Sequence, residues 1–193
     1  MAALAEKKKG SSLVYAGAAL LIVVGAYAYH MYPSSSTALT DKTAKSYTSA
    51  QFGISFLYPH GYTIKEDNVG PSAPLHHVIT FVPEGLSAVP QNSEAPAGIA
   101  FEIRENEPVE MSAETFIRTD PASNWNIATS GIVPKTYGSV SGMEYSWSGL
   151  YEGRSFVVAR RGFIYVFSVT RFEPTDAALS DFDRILSTLE LAE

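Results

Sequence analysis

Apolar positions along the chain fall into one long unbroken run and then a series of short, punctuated ones. Ser11 to Tyr32 (SSLVYAGAALLIVVGAYAYHMY) covers 22 residues with no Asp, Glu, Lys or Arg. A helix of that length rises roughly 33 Å, enough for a hydrocarbon core of about 30 Å. Backbone amides in lipid need internal partners, so such a run enters as a helix. Lys7, Lys8 and Lys9 precede it directly, whereas the next cations beyond it are Lys42 and Lys45. That bias places the N-terminus in the cytoplasm and everything after Pro33 on the far side of the cell membrane. The expected organisation is a basic cytoplasmic start over 1–10, a transmembrane signal-anchor helix over 11–32, a flexible tether over 33–50 rich in Ser, Thr, Ala and Lys, and one extracytoplasmic domain over 51–193.

Three other uses of the long run compete. Ala26-Tyr27-Ala28 is a small-x-small exit, and cleavage after Ala28 would release a secreted form. Tyr29, Met31 and Tyr32 instead continue the apolar run and suit a headgroup belt, which favours the retained anchor. A buried core helix is disfavoured by apolarity on all sides. A type IV prepilin leader would need Glu at the fifth mature position, where Tyr15 stands.

The short runs predict a sheet. Ile54, Phe56 and Tyr58 alternate with Ser55 and Leu57, then Pro59-His60-Gly61 turns the chain into a strand from Tyr62 to Glu66, so the opening reads as a hairpin. Strands follow over 77–82 and 97–104, the latter with Glu102 and Arg104 on a wet face, separated by a proline-rich loop over 83–96. Ser112 is the expected N-cap of a helix that ends near Asp120 because Pro121 follows, with Phe116 and Ile117 buried. Strands over 135–139 and 143–147 are expected to meet at Ser141-Gly142, and strands over 154–160 and 163–170 to join across Arg161-Gly162. In the last of these Phe163, Tyr165, Phe167 and Val169 share one face and Ile164 and Val166 the other, which predicts a place in the sheet centre. A closing helix capped by Thr175 carries a stripe of Ala178, Leu179, Phe182, Ile185, Leu186 and Leu189. The class is α+β with a mostly antiparallel sheet flanked by helices.

Charge and composition narrow the chemistry. Beyond Tyr32 the chain holds 11 basic and 19 acidic residues, a net charge of −8 with His neutral. Such a surface repels phosphate backbones and anionic lipid heads, so no nucleic-acid partner is expected and attachment to the membrane falls to the helix. The absence of cysteine removes disulfides, thiolate metal sites and a cysteine nucleophile together. With no N-x-S/T sequon either, a bacterial envelope fits the composition.

Tyr47-Thr48-Ser49-Ala50-Gln51-Phe52-Gly53-Ile54-Ser55-Phe56-Leu57-Tyr58-Pro59-His60-Gly61-Tyr62 resembles the opening of PsbP-like domains, where an aromatic-Gly strand runs into Tyr-Pro-x-Gly-aromatic. The hairpin with Phe163-Ile164-Tyr165-Val166-Phe167, followed by a helix with Phe182, Ile185 and Leu186 that ends in a Thr/Ser-Leu pair, is similar to how such domains close. The resemblance spans about Tyr47 to Leu191 as an order of elements. It implies an α/β/α sandwich of the kind shared by the photosystem II extrinsic protein and by DcrB-like envelope proteins, whose members mostly bind other proteins. The apolar anchor and the lack of a transit peptide argue against a photosystem role.

Nothing in the sequence names a reaction. No G-x-S-x-G elbow, Walker loop, G-x-G-x-x-G or H-E-x-x-H occurs, and Gly138-Ser139-Val140-Ser141-Gly142 has Val in the nucleophile slot. His76 and His77 are neighbours in a strand and project to opposite faces, His60 is a turn residue, and His30 falls at the membrane interface, so no metal or cofactor site is expected. Glu102, Glu105, Glu107, Glu110 and Glu114 lack oxygen-cage spacing and read as a solvated edge. Arg160 and Arg161, at a hairpin tip, are candidates to grip an acidic partner. Tyr58, Tyr62, Trp125 and Trp147 are candidates for a recognition surface, with core packing as their competing use. The expected function is a non-catalytic module that binds a protein or ligand. An envelope hydrolase with an unrecognised site and a pilin-like filament subunit are the alternatives.

Overall fold

The computed structural model describes residues 44–69, 75–85, 98–106 and 110–192. The expected transmembrane run, the basic start, the tether as far as residue 43 and most of the proline-rich loop lie outside the described residues. Among the described residues no helix is long and apolar enough to cross a membrane.

In chain order the elements are β1 (Ala44–Ser49), β2 (Ile54–Pro59), β3 (Tyr62–Asn68), β4 (His76–Pro83), β5 (Ile99–Glu105), α1 (Ala113–Thr119), β6 (Val133–Tyr137), β7 (Val140–Ser148), β8 (Glu152–Arg160), β9 (Phe163–Arg171), α2 (Ala177–Ser187) and β10 (Glu190–Leu191). Two 3₁₀ turns, Pro121–Ser123 and Trp125–Ile127, follow α1. The strands form a seven-stranded sheet in the order β3-β4-β5-β9-β8-β7-β6 and a three-stranded sheet β1-β2-β10. Each pairing is antiparallel. This is the expected α+β class, and its layering follows from which faces are apolar.

β9 stands fourth of the seven strands, and its residues Ile164 to Phe167 are buried on both faces because each face has its own cover. On one side Phe81, Phe101, Phe156 and Phe167 pack under α2, through Phe182, Ile185 and Leu186, and under the small sheet, through Ile54 and Phe56. On the other side Tyr145, Trp147, Val157, Ile164 and Val166 pack under Phe116 and Ile117 of α1. Ser112 caps α1 by accepting from the Thr115 amide at 3.1 Å.

Several boundaries differ from expectation, each for a physical reason. β2 and β3 do not form a hairpin: β2 pairs with β1 and β10, β3 pairs with β4, and Pro59-His60-Gly61 carries the chain from one sheet to the other. Alternating apolar residues mark the face turned inward, and that face is the same whether two strands pair edge to edge or pack across a core. The last part of the expected tether is strand β1, so the domain begins at or before Ala44. Lys45, Ser46, Thr48 and Ser49 carry no apolar period, and Tyr47, stacked on Phe56 at 4.9 Å, ties the strand to the core. The β6–β7 turn falls at Gly138-Ser139, where Gly138 has φ 57°, as a two-residue turn with glycine first requires. Asp176 caps α2, its side chain accepting from the Ala178 amide at 3.0 Å, in place of Thr175.

Asp181 on α2 is buried, accepting from the Tyr62 hydroxyl at 3.0 Å and from Arg184 Nη1 at 3.2 Å. Burial pushes its carboxyl pKa up, against the pull of those two partners. An acid raised in this way keeps its proton in the folded state after the unfolded chain has lost it, so its contribution falls as pH rises from about 4 until it ionises in both states. Asp181→Asn is therefore expected to gain stability relative to the parent chain as pH rises. Urea unfolding at acid and at neutral pH measures this, and a gain that shrinks with pH would contradict it.

Candidate functional site

The β8–β9 hairpin turns through Arg161 and Gly162, both with positive φ (52° and 73°). That is the geometry of a I′ turn, whose twist matches the flanking strands and whose first position is usually Asn, Asp or Gly. Holding an arginine there costs about 1 kcal/mol or more relative to glycine.

Facing the tip is the segment between β5 and α1. The Asn106 amide N–H donates to the Gly162 carbonyl at 2.7 Å, which fixes this segment to the turn. The buried Asn106 side chain then closes the segment on itself: Nδ2 donates to the Met111 carbonyl at 2.9 Å and Oδ1 accepts from the Met111 amide at 3.0 Å. Between these two walls lies an open groove of about 300 Å³. Arg160, Arg161 and Ala159 line the hairpin side, and Glu110, Met111 and Ser112 the other.

The charges in this groove differ from those elsewhere. Among the described residues Arg104, Arg118, Arg154, Arg171 and Arg184 each pair with a carboxylate. Arg160 and Arg161 have no such pair among the described residues, in a chain of net charge −6. Their field reaches the interior: burial pushes the Tyr165 phenol up, and Arg161 and Arg160 oppose that shift. Chemically the hairpin tip offers two guanidinium groups for bidentate contact with carboxylate or phosphate oxygens, with Arg161 Nη1 lying 3.5 Å from where a side chain at Gly53 would begin.

The remaining candidates lie elsewhere. Tyr62 is 4% exposed and its hydroxyl is spent on Asp181, so it is a core residue and has no surface to offer a partner. Tyr58 packs on Phe81 at 5.9 Å with the Lys45 ammonium 6.0 Å above its ring. Trp125 sits on the opposite face of the large sheet, edge-on to Tyr145 at 5.8 Å and under the Arg118 guanidinium at 5.2 Å. Trp147 is buried and donates Nε1–H to Ser155 Oγ at 3.0 Å.

The histidines also part company. His76 reaches Glu102 at 2.8 Å on one face, while His77 is buried on the other, with Asn68 at 2.9 Å and Glu66 at 3.0 Å. The acidic stretch disperses: Glu102 goes to His76 and Arg104, Glu105 accepts from the Leu75 amide, Glu114 pairs with Arg118, and Glu110 enters the groove, while Glu107 lies outside the described residues. Among the described residues no three His, Asp or Glu side chains gather closely enough to hold a metal ion. Sequence reasoning missed Asn106 altogether. A lone Asn within an acidic run was its only signal, and its value lies in the Met111 backbone that only the fold brings to it.

No protein-family model matches the sequence, and no curated protein matches it. Solved structures do. The solution structure of cyanobacterial PsbP (CyanoP) from Synechocystis sp. PCC 6803 aligns with a TM-score of 0.51 at 15% identity, covering 82% of this chain and 98% of that one. A crystal structure from Bacteroides thetaiotaomicron aligns with a TM-score of 0.46 at 12% identity, covering 78% of this chain and 49% of that one. The match to the cyanobacterial protein, together with the sheet order and the helices on both faces, gives this chain a PsbP-like fold.

Proposed function

We propose that the chain is a single-pass membrane-anchored protein whose extracytoplasmic PsbP-like domain binds an acidic protein or ligand without catalysing a reaction. The observation that carries this reading is a pair of arginines at the edge of an open groove with no carboxylate partner among the described residues, where the other arginines each have one. Arg161 also occupies a left-handed position that glycine or asparagine would fill at lower cost, and strain retained at a surface turn points to use. Membrane attachment rests on the charge-free run from Ser11 to Tyr32 and the lysines before it.

The double substitution Arg160→Glu with Arg161→Glu tests the groove. Proximity labelling from the outer domain in native cells is expected to mark a small, reproducible set of neighbours. The double variant loses them by tenfold or more, on the order expected for breaking charge-assisted contacts, while its thermal unfolding stays close to that of the parent. Glu110→Gln, which removes the carboxylate from the same groove, is expected to strengthen the capture. Random neighbours, or a set unchanged by the double variant, would overturn the reading. So would a turnover abolished by a single change at His60 or His77.

A further inference from the structure

The end of the large sheet away from Arg161 carries a connected apolar patch. Leu150 is 66% exposed and Phe172 48%. The Tyr151 and Phe172 rings meet edge to face at 4.7 Å, next to Leu150 in the β7–β8 loop. Ile127, 37% exposed, extends the patch: its Cδ1 lies 3.1 Å from where a side chain at Gly149 would begin.

The chain enters the domain at this same end. Ala44 pairs with Pro59, and the Lys45 ammonium bonds the Tyr62 carbonyl at 2.9 Å and the Glu84 carboxylate. Tyr62 pairs with Pro83, Ile99 with Val169 and Arg171 with Glu152, so the first residues of β1 and the Leu150–Phe172 patch share one edge of the fold. Arg161 lies at the other end of β8 and β9, about 30 Å away for nine-residue strands.

From this placement we infer that the apolar patch docks on the bilayer that the chain's own N-terminal run spans, with Leu150, Tyr151 and Phe172 in the lipid interface and the Arg160–Arg161 groove held outward. The inference rests on the anchor reading given above. Residues 33–43 separate Tyr32 from β1, and eleven residues reach at most about 40 Å even when fully extended. A connection that short makes docking an intramolecular event, at an effective concentration on the order of millimolar. Aromatic and leucine side chains suit the headgroup boundary. The docking is apolar, not electrostatic: Lys45 pairs with Glu84 and Arg171 with Glu152, and the outer portion is acidic, so nothing at this end favours anionic lipid.

The chain contains no cysteine, which makes single-site labelling clean. The test uses the full chain reconstituted in phosphatidylcholine vesicles, with an environment-sensitive fluorophore on Glu173→Cys, Arg161→Cys or Ala18→Cys and a nitroxide-bearing lipid as quencher. Labels at positions 18 and 173 are expected to be quenched and the label at 161 is not. Adding Leu150→Ser and Phe172→Ser to the Glu173→Cys chain lowers the docked-to-undocked ratio by roughly tenfold and abolishes most of the quenching there. Added anionic lipid or salt changes little. If position 18 is quenched and 173 is not, the domain does not dock and this inference fails while the anchor stands. If 161 is quenched as strongly as 173, or if the paired serines change nothing, the orientation is wrong. If 18 itself is unquenched, the anchor reading fails and the docking goes with it.

Discussion

Phe101→Ala is expected to destabilise the domain by about 3–5 kcal/mol, the range for emptying a fully buried aromatic site. Phe101 is 0% exposed on β5 and its ring is the meeting point of the main core. Phe56, Phe81, Phe167 and Phe182 surround it at 5.2, 4.9, 4.8 and 6.3 Å between centroids. These four come from the small sheet, from two strands of the large sheet and from α2, so the residue joins every layer on that side. Its neighbours are aromatic and held by backbone in four elements, which leaves them little freedom to collapse into the space. Denaturant unfolding of the variant measures the loss, and a cost below about 1.5 kcal/mol, typical of a tolerated swap, would show that the layers are not coupled through this ring.

Gly153→Ala is expected to cost about 1–3 kcal/mol through overpacking, and to move a tryptophan. An added Cβ at Gly153 would stand 2.2 Å from Trp147 Cζ2 and 2.3 Å from Cε2. No contact that close survives, so the indole must leave its place. In leaving it gives up the Nε1–H bond to Ser155 Oγ, which in turn meets Ser168 Oγ at 2.8 Å between β8 and β9. With Trp125→Phe as background, Trp147 is the sole tryptophan and its emission should shift toward that of an exposed indole. Unchanged emission and stability would mean that the indole does not lie over Gly153.

How much of this was legible in the residues can be seen element by element. Phe163 to Phe167 is apolar on both parities, and only a strand covered twice tolerates that, so β9 belongs at the sheet centre. The caps, faces and ends of α1 follow from Ser112, Phe116, Ile117 and Pro121. Strand partners were a different matter. β2 and β3 share an inward face and pair with other strands, and the two residues of β10 are too short for any period to register. The groove was half legible: Arg160 and Arg161 stood out at a turn, while Asn106, which shapes the opposite wall, had no local mark.

By itself the sequence determined which side of each element turns inward, because burial depends on the spacing of apolar side chains along one stretch of chain. It also determined the overall charge, the absence of thiol chemistry and the long charge-free run. Only the tertiary structure decided which strands neighbour one another, which arginines find carboxylates, and that Leu150 and Phe172 share an end with the entry of the chain. Those are relations between residues distant in sequence, set by how two cores close on opposite faces of one sheet, and no local periodicity encodes them.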